Sequence, residues 1–134
     1  QLVTLDARNE SELGTVLRAL RRGEAEGVIV SNDGVFRSNK FKIAQAIRKA
    51  RLPAIYPYRA YLEDGVLMSY GPNLKEAGRK MATYVDRILK GAKPGDLPIE
   101  QMSEYELIIN LRVARELGLK VPQDLLLRAD EVIK

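Results

Sequence analysis

Ser31-Asn32-Asp33-Gly34 sets a hydroxyl, an amide and a carboxylate side by side in front of a glycine. Downstream, Tyr56 and Tyr58 flank Pro57, and Ser69-Tyr70-Gly71 adds a second hydroxyl, a ring and an unobstructed backbone amide. These side chains suit reversible binding. A carboxylate such as Asp33 pairs with an ammonium while neighbouring hydroxyl and amide groups orient it. Tyr56 and Tyr58 can stack on a ligand ring or hydrogen-bond through their hydroxyls. Each group also has a plainer reading. Asp33-Gly34 is a common turn pair, one of the tyrosines can pack under a short helix, and Gly71-Pro72 can be a hinge.

Catalysis finds less support. The chain contains no His and no Cys, so the usual nucleophile–base pairs cannot be assembled. A Ser–Lys or paired-carboxylate arrangement is formally open, yet no spacing singles one out. Glu63-Asp64 precedes Gly65 and reads as a solvated turn. Neither a GxGxxG nor a GxxxxGK[ST] loop occurs, leaving Arg59 as the obvious candidate for a phosphate. Asp124, Asp130 and Glu131 lack metal-ligand spacing. We therefore expect no metal, no cofactor and no enzymatic activity.

The net charge of +4 raises the question of nucleic acid. The basic residues are dispersed, however. Arg21-Arg22 ends one helix, and Arg37, Lys40, Lys42, Arg48, Lys49 and Arg51 alternate with Phe41, Ile43, Ala44 and Ile47 on another. That is the pattern of a solvated helix face; a nucleic-acid footprint clusters its charge. With 134 residues, 46% hydrophobic and 30% charged, the composition is that of one globular domain. No apolar run reaches the roughly 20 residues of a membrane span. No leader segment is legible at Gln1, so no signal peptide is expected in this chain.

Alternating elements must carry these residues. Leu2-Val3-Thr4-Leu5 reads as a strand. Asn9 with Glu12 forms a capping-box pattern, opening a helix with the stripe Leu13, Val16, Leu17 and Leu20 and a stop at Gly23. Gly27-Val28-Ile29-Val30 reads as a strand buried on both faces. Ser38 is the expected cap of a helix burying Ile43, Ile47 and Ala50. Ala54-Ile55-Tyr56 and Val66-Leu67-Met68 are the next strands, with a helical turn over 59–63 between them. A long helix over 73–90 carries Leu74, Ala77, Met81, Val85, Ile88 and Leu89 along one side. A turn-rich linker follows at 91–98, then a strand at 105–110, a helix over 111–117 ended by Gly118, and a last helix begun by Pro122. Such alternation predicts an α/β fold with a parallel sheet between helical layers. In that fold the carboxyl ends of the strands hold ligands, which is where Ser31, Asn32, Asp33, Tyr56, Tyr58, Ser69, Tyr70 and Gly71 fall.

Several long words add a resemblance. Leu52-Pro53-Ala54-Ile55-Tyr56-Pro57-Tyr58-Arg59, Leu67-Met68-Ser69-Tyr70-Gly71-Pro72-Asn73, the run 82–98 and Arg128-Ala129-Asp130-Glu131-Val132-Ile133 resemble the C-terminal part of the solute-binding proteins of ABC importers. The nearest branch includes aromatic-amino-acid binders. The resemblance implies the second lobe of a type I periplasmic-binding-protein fold, a three-layer, flavodoxin-like α/β lobe spanning 1–134. Within it, 72–104 is the helix and linker that cross to a first lobe this chain lacks. Also implied are a small organic solute such as an amino acid, an ABC permease as partner, and a periplasmic or extracellular, membrane-associated location. By that resemblance Asp33 holds an ammonium, the tyrosines wall the pocket and Ser69 orients a polar group. The rival class is a stand-alone flavodoxin-like interaction or signalling module; a hydrolase using a Ser is the weaker alternative. The apolar stripe of the 73–90 helix must either fold over the sheet or meet another copy, and a homodimer is the expectation.

Overall fold

The computed structural model describes residues 1–20 and 25–134. Five strands form one sheet in chain order: β1 (Val28–Ile29), β2 (Ala54–Tyr56), β3 (Met68–Pro72), β4 (Tyr105–Asn110) and β5 (Glu131–Ile133). β1, β2 and β3 run parallel, with Val28 beside Ala54 and Tyr56 beside Ser69. β4 runs antiparallel to β3, and β5 parallel to β4. The fold is thus α/β with a mostly parallel sheet. The departure at β4 has a simple cause. After β3 the chain leaves along a helix and comes back to the same end of the sheet, where the Asn73 N–H donates to the Glu104 carbonyl at 3.0 Å. From there β4 can only run backwards along β3, pairing Tyr105 with Pro72.

Local chemistry fixes the helix starts. In α1 (Glu10–Ala19) the Asn9 side chain accepts from the Glu12 N–H at 3.0 Å, and the Glu12 carboxylate accepts from the Arg8 N–H at 2.9 Å. Two otherwise unpaired donors are thereby satisfied. Leu13 is buried, with Val16, Leu17 and Leu20 packed around it. The expected stop at Gly23 and the Arg21-Arg22 pair lie outside the described residues. Ser38 is not a cap. It ends an additional short helix, α2 (Gly34–Ser38), which Asp33 caps, and Asn39 joins it to α3 (Lys40–Ala50). Ile43 and Ile47 of α3 are buried with Leu52, Ala54, Tyr56, Tyr61 and Val66 in the main core. On the β4 side, Asn110 caps α5 (Leu111–Leu117) by accepting from the Arg112 and Val113 N–H groups. Gly118 ends α5 at φ 71°. α6 (Gln123–Arg128) follows Pro122 and leads into β5, a strand the sequence pattern does not announce.

Three strand expectations change. Leu2-Val3-Thr4-Leu5 is irregular and exposed; these residues make no ladder, and a strand is stable only when paired. β1 is two residues long, and Ile29 is 75% exposed, so that strand is covered on one face only. Val66 and Leu67 precede the fourth expected strand instead of forming it. A 3₁₀ helix at Arg59–Asp64 ends at Gly65 with φ 82°, and the chain needs Val66 and Leu67 as a buried connection before β3 starts at Met68.

The long helix α4 (Leu74–Leu89) forms as its periodicity predicts, with Asn73 accepting from the Lys75 and Glu76 N–H groups. It does not fold over the sheet. None of its residues is buried, and Leu74, Met81, Val85, Ile88 and Leu89 are exposed. Its contacts run to its own linker, where the Tyr84 hydroxyl donates to the Pro98 carbonyl and Lys80 Nζ lies 3.7 Å from Glu100. Among the described residues no helix is long and apolar enough to cross a membrane.

Candidate functional site

The parallel run of β1, β2 and β3 brings the loops after them to one edge of the sheet. Ser31, Asn32 and Asp33 leave β1, Pro57 and Tyr58 leave β2, and Tyr70 and Gly71 lie inside β3, just before its last residue Pro72. Two of these loops are joined directly, because the Asn32 side-chain amide donates to the Tyr58 hydroxyl at 2.8 Å. Asp33 has a local task as well. Its Oδ1 accepts from the Val35 N–H at 2.7 Å and so caps α2.

Strand alternation divides the remaining residues. Ser69 and Gly71 face the main core and are buried, while Tyr70 points the other way and is half exposed. There Tyr70 stacks on Tyr105 of β4, with ring centroids 5.7 Å apart. Tyr56 is buried under the 3₁₀ helix, its ring 4.6 Å from that of Tyr61. It therefore takes the packing role, leaving Tyr58 as the accessible tyrosine of the pair. Neither the Tyr56 hydroxyl nor Ser69 Oγ has a hydrogen-bond partner among the described residues. Burial, and then the proximity of Tyr61 and Asp64, pushes the Tyr56 hydroxyl well above its ordinary phenol range.

Gly71 is required by close approach. A β-carbon there would lie 1.7 Å from the Pro57 carbonyl oxygen, so the loop after β2 rests on bare backbone. The next residues extend the hold. Arg59 pairs with Glu131 at the start of β5 and lies 3.7 Å from Glu106 at the start of β4. Its guanidinium is already committed to carboxylates, which removes the basis for reading it as a phosphate ligand. Glu63-Asp64 is only half a solvated turn. Glu63 is exposed, but Asp64 turns inward to meet Lys40 Nζ at 3.4 Å. Sequence inspection misses Arg59 as a clamp and Tyr105 as a ring partner, because both depend on where β4 lies. Their spacing in the chain, 72 residues for Arg59 and Glu131, carries no signal.

A groove of about 600 Å³ lies between the 3₁₀ helix, α5 and β5, lined by Arg48, Arg59, Glu63, Arg112, Glu116 and Glu131 among others. A smaller cavity of about 150 Å³ sits between α3 and α5. Neither is lined by any of the eight residues expected to bind. Five of them lie at an open edge, polar at Ser31, Asn32 and Asp33 and aromatic at Tyr58 and Tyr70, while Tyr56, Ser69 and Gly71 are buried beneath it.

Residues 1–133 match the family model of ABC transporter substrate binding proteins. The chain belongs to that family. It is 23% identical over 110 residues to a tyrosine-binding protein of Clostridioides difficile, covering 82% of this chain and 32% of that one. The crystal structure of a Streptococcus pneumoniae ABC domain in complex with L-Trp superposes with a TM-score of 0.86 at 24% identity, over 98% of this chain and 45% of the other. A conserved domain protein from Vibrio cholerae gives a TM-score of 0.83 at 25% identity, over 94% and 42%. This member of the substrate-binding family thus spans about a third of the curated relative and under half of each solved structure. The fold is that of periplasmic-binding-protein domains, as the sequence resemblance implies.

Proposed function

We propose that this chain is the second α/β lobe, with its crossover segment at 72–104, of the solute-binding component of an ABC importer. In that role it holds a small amino-acid solute at the edge formed by the loops after β1, β2 and β3. It captures; it does not catalyse. The carrying observation is that Asn32 and Tyr58, from different loops, meet at this edge. The match along residues 1–133 supports the transport setting. The relatives named for tyrosine and bound to L-Trp support an aromatic amino acid as the solute. Tyr58 and Tyr70 offer rings to such a ligand, while Ser31 and Asp33 give the edge polar and negative character. Ser69, Tyr56 and Gly71 support the loops from below. A membrane permease would receive the solute on the periplasmic or extracellular side.

The open edge gives one wall, so the chain alone should bind weakly. The test is calorimetric titration of the protein with a panel of amino acids. Heat with tyrosine, tryptophan or phenylalanine, and none with aspartate or lysine, is expected. Absence of a signal with every amino acid at millimolar concentration overturns the reading.

A further inference from the structure

The Asn32–Tyr58 contact has a direction, and the direction leaves two groups unused. The Asn32 Nδ2 donates and the Tyr58 hydroxyl oxygen accepts. A phenol that accepts still has its own proton to give, and an amide that donates still has its carbonyl oxygen to accept with. Among the described residues, neither the Tyr58 hydroxyl proton nor Asn32 Oδ1 is engaged in another hydrogen bond. The linked pair therefore presents one donor and one acceptor side by side at the sheet edge. A free α-amino acid presents the complementary couple, a carboxylate and an ammonium on one carbon.

Resting on the binding role proposed above, we infer that Asn32 and Tyr58 together read the head group of an α-amino acid. The Tyr58 O–H donates to the carboxylate, and Asn32 Oδ1 accepts from the ammonium. Asp33, expected to hold the ammonium, uses its Oδ1 to cap α2 through the Val35 N–H; its Oδ2 has no partner among the described residues and can share the ammonium with Asn32. Pre-organisation favours the same pair. The Pro57 carbonyl is seated against Gly71, and Arg59 is held by Glu106 and Glu131, so Tyr58 is pinned on both sides. A donor fixed before binding loses little freedom when the ligand arrives.

The chain contains no Trp, so indole emission reports ligand alone. Fluorescence anisotropy of three indoles separates the two contacts: L-tryptophan, tryptamine, which lacks the carboxylate, and indole-3-propionate, which lacks the ammonium. Wild type should prefer L-tryptophan over both. Tyr58→Phe keeps the ring and should lower L-tryptophan affinity by about 10- to 100-fold, the range for a hydrogen bond to a charged group, closing the gap to tryptamine. Asn32→Leu should close the gap to indole-3-propionate. Both variants should keep the circular dichroism of the wild type. If wild type binds but either variant weakens all three indoles equally, or neither changes the preference, the inference fails while the binding role stands. If wild type binds no indole at any concentration, the aromatic-solute reading falls and takes the inference with it.

Discussion

The carbonyl oxygen of Pro57 sits 1.7 Å from where a β-carbon on Gly71 would stand. No rotamer change relieves that overlap, since the β-carbon is fixed by the Gly71 backbone and the oxygen belongs to the Pro57 backbone. Gly71→Ala must push the loop after β2 off the end of β3 or break the β3 pairing. The expected cost is about 3 kcal/mol in urea unfolding, at the upper end for overpacking. Gly78→Ala is the control. Nothing lies within 4 Å of its would-be side chain, and it stands inside α4, so it should be neutral or add up to about 1 kcal/mol. Equal effects of the two substitutions would refute the close-approach role of Gly71.

Tyr56 carries a buried hydroxyl without a partner among the described residues. Desolvating such a group costs about 1–3 kcal/mol that an apolar replacement of similar shape avoids. Tyr56→Phe should accordingly raise stability at pH 7 by about 1 kcal/mol. The pH dependence has a definite sign. The folded-state pKa is raised by burial, so above the unfolded value of about 10 the unfolded chain loses this proton first. Stability is whole below pH about 10 and falls as pH rises beyond it. Tyr56→Phe should flatten that alkaline decline in urea midpoints measured between pH 8 and 11. An unchanged slope would mean the hydroxyl is hydrated in solution.

Asp33 holds α2 through the Val35 N–H. Asp33→Ala should lose about 1 kcal/mol, the usual value of an N-cap, and Asp33→Asn should keep most of it because the amide oxygen caps nearly as well. Thermal melts of both variants at neutral pH decide this. A loss as large for Asn as for Ala would show that the charge, and not the cap, is what the loop needs.

How far the sequence reveals this molecule differs by element. β4 is legible to the residue and α4 to within one residue at each end, since an apolar run before Asn110 and an amphipathic period with Asn73 in front are both local signals. β1 and β3 are legible in place but not in extent, because their ends depend on neighbours: Val66 and Leu67 look like a strand until Gly65 turns the chain above them. The edge residues Asn32 and Tyr58 are legible as types after strands. Their contact is not, for it spans 26 residues and depends on the β1–β2 register. Antiparallel β4 is the least visible feature, and with it go the Tyr70–Tyr105 stack and the Arg59 clamp.

Leu74, Met81, Val85, Ile88 and Leu89 stand exposed on one helix, more apolar surface than an isolated soluble body ordinarily leaves in water. The sheet does not cover it, and the helix hangs between the β3 end and the linker at 91–104, tied by Asn73 to Glu104 and by Lys80 to Glu100. A helix so attached can be traded between identical chains at little cost, and two-fold pairing closes the assembly. We propose that this chain by itself forms a homodimer through α4. Light scattering at tens of micromolar should give twice the chain mass, and Met81→Glu or Ile88→Glu should return it to the monomer with little change in thermal stability of the sheet. A wild-type monomer whose mass and melting point are indifferent to both substitutions would rule the dimer out and leave the stripe to another protein segment.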